Sequence, residues 1–209
     1  MNKAITDGLA LMPPPFAAGL SNWSSGDGTP GSDTYAGAGG GAFVPADQDF
    51  AGCLEIVKTA GIQKVRSMIE TPFLPGLYLR VTARVKCVGG ALPSVRVAGF
   101  PKSGAGNLVP GLVMAGPAKP IPGYGEVVEV SAILATSNRG GVDMTWTRSV
   151  ASAHLGIDFT GPNGGVLRID DIVVEDITQA FLRDMLAQVD VRDYGARGDG
   201  TTNDAAAFN

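Results

Sequence analysis

With 209 residues, the chain has room for one sizeable domain and flanking segments. Its 30 glycines, 14 prolines, 17% charged and 44% hydrophobic residues exclude a disordered Gly-rich chain and point to many short strands joined by tight turns. A formal charge of −4 without a basic stripe offers no nucleic-acid surface, and no stretch is long and apolar enough for membrane insertion.

Residues 1–42 are rich in Gly, Pro, Ser and Asp and contain the run Pro13-Pro14-Pro15. They read as an extended attachment arm without a core of its own, held by a neighbour and first meeting the next domain at Ser21-Asn22-Trp23-Ser24. Lys3 is not followed by an apolar run, so no secretory signal is recognisable and synthesis and assembly in the cytoplasm are expected.

From residue 43 to 177 the pattern changes to strands separated by turn clusters. In the clearest, Leu77, Leu79, Val81, Ala83, Val85 and Cys87 alternate with Tyr78, Arg80, Thr82, Arg84 and Lys86, a period of two with one wet face. Further strands are expected within 52–58, 63–70, 93–100, 126–136, 142–149, 154–160 and 166–176. About eight strands without βαβ alternation suit a two-sheet jelly-roll sandwich. In the last one, strict alternation from Leu167 and Ile169 places Asp171 in the core, whereas a β-bulge at Asp170-Asp171 returns Ile172 and Val174 to the inner face. Cys53 and Cys87 lie in apolar runs and read as reduced core thiols. Thr178 is a plausible N-cap for a short helix over 178–188, with Phe181, Leu182, Met185, Leu186 and Val189 on one stripe.

The final stretch, Val189 to Phe208, runs through Tyr194-Gly195-Ala196-Arg197-Gly198-Asp199-Gly200-Thr201-Thr202-Asn203-Asp204. It resembles the N-terminal signature of the pectate lyase superfamily, with Asn203 where the family usually has Asp. Glycines 195, 198 and 200 suit positive φ in a tight loop, and Thr201 is spaced from Asp204 like a capping box. The resemblance implies that Tyr194, Gly195, Gly198, Asp199, Gly200, Thr201, Asn203 and Asp204 belong to the cap of a right-handed parallel β-helix. That helix, with any catalytic carboxylates, is expected beyond Asn209. The strand Gly165 to Ile172 resembles those closing carbohydrate-binding-module jelly rolls.

The expected fold is therefore all-β: a sandwich over 43–177, a neck helix over 178–188 and the start of a β-helix over 189–209. The combination resembles a phage-type spike, including the head spikes of gene transfer agents. It implies that this chain is an adhesion component rather than an enzyme, any polysaccharide lyase or hydrolase activity belonging to the β-helix of the full-length protein. It further implies a capsid or spike-base protein as partner of the arm, host surface polysaccharide as ligand, and a homotrimer. The expected setting is a virion-like particle assembled in the cytoplasm and extracellular after release. The alternative is an accessory carbohydrate-binding module of a polysaccharide lyase or glycoside hydrolase.

Aromatic faces stack on sugar rings, which makes Trp23, Tyr35, Tyr78, Tyr124 and Trp146 the candidate carbohydrate contacts. Trp146 is in phase with Met144 and reads as core; Trp23 reads as packing the arm down; the three tyrosines are expected to be exposed. His154 is the sole histidine, which excludes multi-histidine metal sites and leaves it a structural residue. No cofactor is implied. Asp170 and Asp171 are the candidates for a structural Ca²⁺, weighed against salt bridges to Arg168 or a neighbour.

Overall fold

Alternating apolar residues bounded by Gly and Pro give short strands that must bury one face against a second layer. The computed structural model describes residues 6–136, 138–185 and 195–208. Its strands are, in order, β1 (Trp23–Ser24), β2 (Gly41–Val44), β3 (Cys53–Val57), β4 (Gln63–Ser67), β5 (Thr71–Pro72), β6 (Tyr78–Gly89) and β7 (Ser94–Lys102). After these come β8 (Lys119–Pro120), β9 (Val128–Ala135), β10 (Met144–Thr145), β11 (Ser152–Thr160), β12 (Val166–Ile169) and β13 (Val173–Asp176).

They form two sheets. The first has the order β1-β4-β11-β7-β8, with β5 also on β11; the second has the order β10-β9-β6-β12-β3-β2, with β13 also on β6. Between them lies one apolar cluster. Leu79, Val81, Ala83, Val85 and Cys87 enter it from β6, and Ala153, Leu155, Ile157 and Phe159 from β11. The two-sheet sandwich is as expected, and both cysteines are free and buried.

Several expectations change. The segment read as an arm belongs, from Thr6 onward, to the same compact unit as the sandwich, Met1–Ile177. Its Phe16, Trp23 and Tyr35 are buried in the common core, so the segment carries apolar anchors that its Gly and Pro content concealed. β1 and β2 lie within or at the edge of it. The strand expected over 142–149 shrinks to β10, which pairs parallel with β9.

The bulge expected at Asp170-Asp171 is present. Ile169 pairs with Val85 and Val173 with Thr82, so three residues on one side face two on the other, and Ile172 and Val174 are both buried. On the expected wet face of β6, Arg80 and Arg84 are exposed, but Tyr78 and Lys86 are buried. Lys86 is held by Asp47 and Asp49 from a loop folded over it.

Lys58 is fully buried with no carboxylate partner among the described residues. Its ammonium donates to the carbonyl oxygens of Ala60 (2.7 Å) and Gly161 (2.8 Å) and to Asn163 Oδ1 (2.7 Å), tying two loops together. Burial pushes its pKa down.

The second unit, Thr178–Asn209, contains α1 (Thr178–Met185) and a 3-10 turn at Ala205–Phe208. Thr178 is the first helical residue rather than the cap before it. Residues 186–194 lie outside the described residues, and with them the end of the expected neck helix and Tyr194.

At Gly156, β11 passes so close to β4 that an added Cβ would lie 1.8 Å from the Val65 carbonyl oxygen. Gly156→Ala is expected to destabilise the unit by about 3 kcal/mol, since backbone must move to relieve the overlap. Gly104→Ala, with open space around its Cβ, is expected to stay within about 0.5 kcal/mol. Urea unfolding of the two variants checks the difference.

Candidate functional site

Alternation along β11 sends odd-numbered residues into the sandwich and leaves His154, Gly156 and Asp158 on the outer face of the first sheet. Strand register then selects their neighbours. Asp158 stands between Lys64 on β4 and Arg96 on β7; Gly156 stands between Arg66 and Ala98; His154 faces Phe100. A row of charged and aromatic side chains is thus assembled from three strands.

Its centre is a buried ion pair. Arg66 Nη2 donates to Asp158 Oδ1 at 2.6 Å and Nη1 to the Ile157 carbonyl at 2.6 Å, with side chains 3% and 6% exposed. Removing one member of such a pair costs about 3–5 kcal/mol, because its partner is left charged and desolvated. The other carboxylate oxygen receives Arg96 Nη2 at 3.5 Å, from a side chain 28% exposed.

Beside it, His154 Nδ1 is 2.9 Å from the Ser67 carbonyl. That acceptor requires the proton on Nδ1 and leaves Nε2 a lone pair. Burial pushes the His154 pKa down, so the ring is neutral. Nε2 is 3.8 Å from Glu70 Oε1, and Glu70 accepts hydrogen bonds from Lys102 and Ser152, which hold its carboxyl below the usual range.

The loop after β1 closes over this end. Gly28 has φ +83°, and a Cβ there would lie 2.7 Å from His154 Cβ; Asp27 pairs with Lys64 at 2.5 Å. Among the described residues, Arg66 Nε, Arg96 Nε and His154 Nε2 are buried without a hydrogen-bond partner. Arg96 and Phe100, both half-buried, are the floor residues of β7 left partly open.

The residues singled out from sequence fall mostly elsewhere. Trp23 is core, 4.6 Å from Phe16 between ring centroids, with Nε1 donating to the Pro14 carbonyl. Trp146 is core as read, packed edge-on against Phe73 and donating to the Val113 carbonyl. Tyr35 and Tyr78, expected to be exposed, are buried. Tyr35 donates to the Lys64 carbonyl, and burial raises its pKa to about 12; Tyr78 is drawn in where β6 pairs with β9 and β13 ends. Tyr124 is 61% exposed, with its hydroxyl on the Gly90 carbonyl. No aromatic cluster unites these five.

Asp170 and Asp171 line a groove of about 440 Å³ on the outer face of the second sheet, with Arg80, Arg84, Glu129 and Glu175. Asp170 pairs with Arg84 at 3.2 Å, while Asp171 accepts from the Phe16 amide at 2.8 Å. Arg168 instead pairs with Asp47 and Glu55. Among the described residues, no three His, Cys, Asp or Glu side chains converge as metal ligands.

In the second unit, Gly195, Gly198 and Gly200 have φ of 97°, 61° and 75°, as their place in the loop motif required. Asp199 accepts from the amides of Thr201 and Thr202, and Asp204 from those of Arg197 and Gly198. The residue over the following turn is Asn203, whose Oδ1 takes the Ala205 amide at 3.1 Å. Thr201, expected as the cap, donates to Asp199 instead.

Sequence reasoning missed Arg66, Arg96, Phe100 and Asp158. The available signal was polar residues at alternate positions of strands otherwise built for burial: Lys64-Arg66 and Asp158 amid Val, Ile and Phe, and Arg96 between two valines.

No family model and no curated protein matches this sequence. Solved structures do. One is the CBM22-1 and GH10 modules of Clostridium thermocellum endo-1,4-β-D-xylanase 10B complexed with xylohexaose: TM-score 0.53, 12% identity, 79% of this chain and 28% of that one. Another is the C-terminal family 22 carbohydrate-binding module of the same enzyme: TM-score 0.53, 11% identity, 83% and 96% covered. A third is the CBM22-1–CBM22-2 tandem of Paenibacillus barcinonensis Xyn10C: TM-score 0.54, 12% identity, 79% and 45% covered. The likeness shows a shared jelly-roll sandwich fold.

His154 gives the site a pH signature. Its folded pKa lies below the roughly 6.5 of an exposed histidine, so on acidification the unfolded chain takes up the proton first. Stability is therefore full above about pH 6.5 and falls as the pH drops toward the folded pKa. Urea unfolding at pH 7 and pH 5 is expected to show this loss, and His154→Gln to flatten it.

Proposed function

We propose that the unit Met1–Ile177 is a non-catalytic polysaccharide-binding module whose ligand lies along the outer face of the first sheet. The observation that carries this is the floor itself. The half-buried Arg96 and the half-buried ring of Phe100 stand open on β7, backed by a buried, pre-set lattice of Arg66, Asp158 and His154. Sugars offer C–H faces that pack on such a ring and hydroxyls that pair with fixed polar groups.

The shared fold supports the reading: one similar chain was solved with xylohexaose, and another concerns the role of cleft residues in ligand binding. Hydrolysis of a glycosidic bond needs one carboxyl that stays protonated as the acid. On this face Glu70 is shifted the opposite way by Lys102 and Ser152, and Asp158 is taken up by the Arg66 guanidinium.

Around this module we infer a spike. The N-terminal segment attaches to a capsid or spike-base protein, and the second unit leads into a β-helix presented to host surface polysaccharide by a homotrimer. The particle assembles in the cytoplasm and is extracellular after release. What supports this is the loop of residues 195–204, whose glycines 195, 198 and 200 have the positive φ its pectate-lyase-like motif calls for. The competing reading is an accessory module of a cellular polysaccharide lyase or hydrolase.

Affinity electrophoresis against a panel of soluble polysaccharides is expected to retard the wild-type chain. Phe100→Ala is expected to lose most of that retardation, since loss of an aromatic contact costs on the order of 1 kcal/mol or more. It is expected to stay folded with a somewhat lower unfolding temperature, because the ring is half-buried. Retardation unaffected by Phe100→Ala removes this face as the site. For the spike, light scattering of the full-length protein is expected to give a trimer that cosediments with its particles; a monomer without particle affinity favours the accessory module.

A further inference from the structure

Charge on the outer face of the first sheet does not balance. Among the described residues, Lys64, Arg66, Arg96 and Lys102 meet three carboxylates, Asp27, Asp158 and Glu70, while burial pushes the His154 pKa down, away from the charged form. Lys64 closes with Asp27, Lys102 with Glu70, and Arg66 with Asp158 at 2.6 Å. Arg96 is left over. Its Nη2 reaches Asp158 only at 3.5 Å, its Nε has no hydrogen-bond partner among the described residues, and its side chain stays partly open.

Its strand is fixed on both edges: Arg96 pairs with Asp158 of β11, and the adjacent Val95 with Lys119 of β8. The guanidinium thus projects from a fixed strand, touching Asp158 through Nη2 alone, and carries spare charge on a planar fork of the kind that takes a carboxylate through two parallel hydrogen bonds. Phe100 lies four residues along the same face of β7, about 13 Å away at strand rise, a span of more than one sugar ring. A neutral glycan can use the ring but leaves the surplus charge unanswered. The chain as a whole carries −4, so attraction for a polyanion has to come from this local cation rather than from the net field.

The geometry points to an acidic polysaccharide, one bearing uronate carboxylates, as the ligand of this face, with Arg96 reading the carboxylate. This rests on the glycan-binding reading of the face and narrows it to one chemical class.

The test compares binding of the 209-residue chain to alginate, a polyuronate, and to propylene glycol alginate, in which esterification removes the charge. Calorimetry at low ionic strength is expected to show alginate bound at least about tenfold more tightly than the ester. Arg96→Gln is expected to weaken alginate binding about tenfold at unchanged unfolding temperature, and Arg96→Lys to keep part of it. Equal affinity for acid and ester, or alginate binding indifferent to Arg96→Gln, overturns the carboxylate inference and leaves a face that binds glycans without regard to charge. The acid–ester comparison uses the unaltered chain, so it decides the matter even where a variant fails to fold. Binding to neither polymer, nor to any neutral polysaccharide in the panel, overturns the glycan reading as well.

Discussion

Strand β11 is buried along nearly its whole length, although only alternate residues look into the sandwich. A central strand buried on one face needs a single apolar layer; one buried on both faces needs a second cover. Here the second cover is polar. Asp158 and Arg66 cannot lie under it as isolated ions, because desolvating an unpaired ion costs several kcal/mol, and the His154 ring N–H needs an acceptor there. The ion pair between β4 and β11, the Ser67 carbonyl on His154 and the Glu70–Lys102 contact resolve that constraint. The same contacts fix side chains at defined positions on a rigid sheet, which a recognition surface requires.

The N-terminal segment supplies the cover. Trp23 and Phe16 anchor it in the core, β1 adds it to the edge of the first sheet, and the loop that follows brings Asp27 to Lys64 and Gly28 against His154. Gly156 belongs to the same arrangement: without a Cβ, β11 and β4 come close enough for Arg66 to reach across. Stability and site are therefore coupled. Changes that loosen the N-terminal segment also expose the charged floor, whereas Arg96 and Phe100, toward the open side, are freer to vary.

Much of the sandwich was legible because period-two alternation is a direct consequence of strand geometry. Leu79 to Cys87 and Leu167 to Ile169 declare their inner face, and the bulge at Asp170-Asp171 follows from the one place where alternation fails. Positive φ at glycines 195, 198 and 200 was legible for the same kind of reason. The site was not. Large aromatics attracted attention as sugar platforms, yet Trp23, Tyr35, Tyr78 and Trp146 are buried, since such side chains contribute most when packed in the core. What makes Arg66, Arg96, Asp158 and Phe100 neighbours is the order β4-β11-β7, which brings Asp158 to residues 62 and 92 positions away and has no local signature. The burial of Lys58 and Lys86 was hidden similarly, because their acceptors come from loops distant in the chain or set by local turns.

The central claim is that recognition belongs to the outer face of the first sheet. Amide chemical-shift mapping during titration with soluble polysaccharide tests it most directly, because it reports the contacted strand without any substitution. The account predicts shifts concentrated at residues 94–102 of β7 and 152–160 of β11. Shifts confined instead to the groove around Arg80, Glu129 and Glu175 on the second sheet, or to Tyr124, would contradict it.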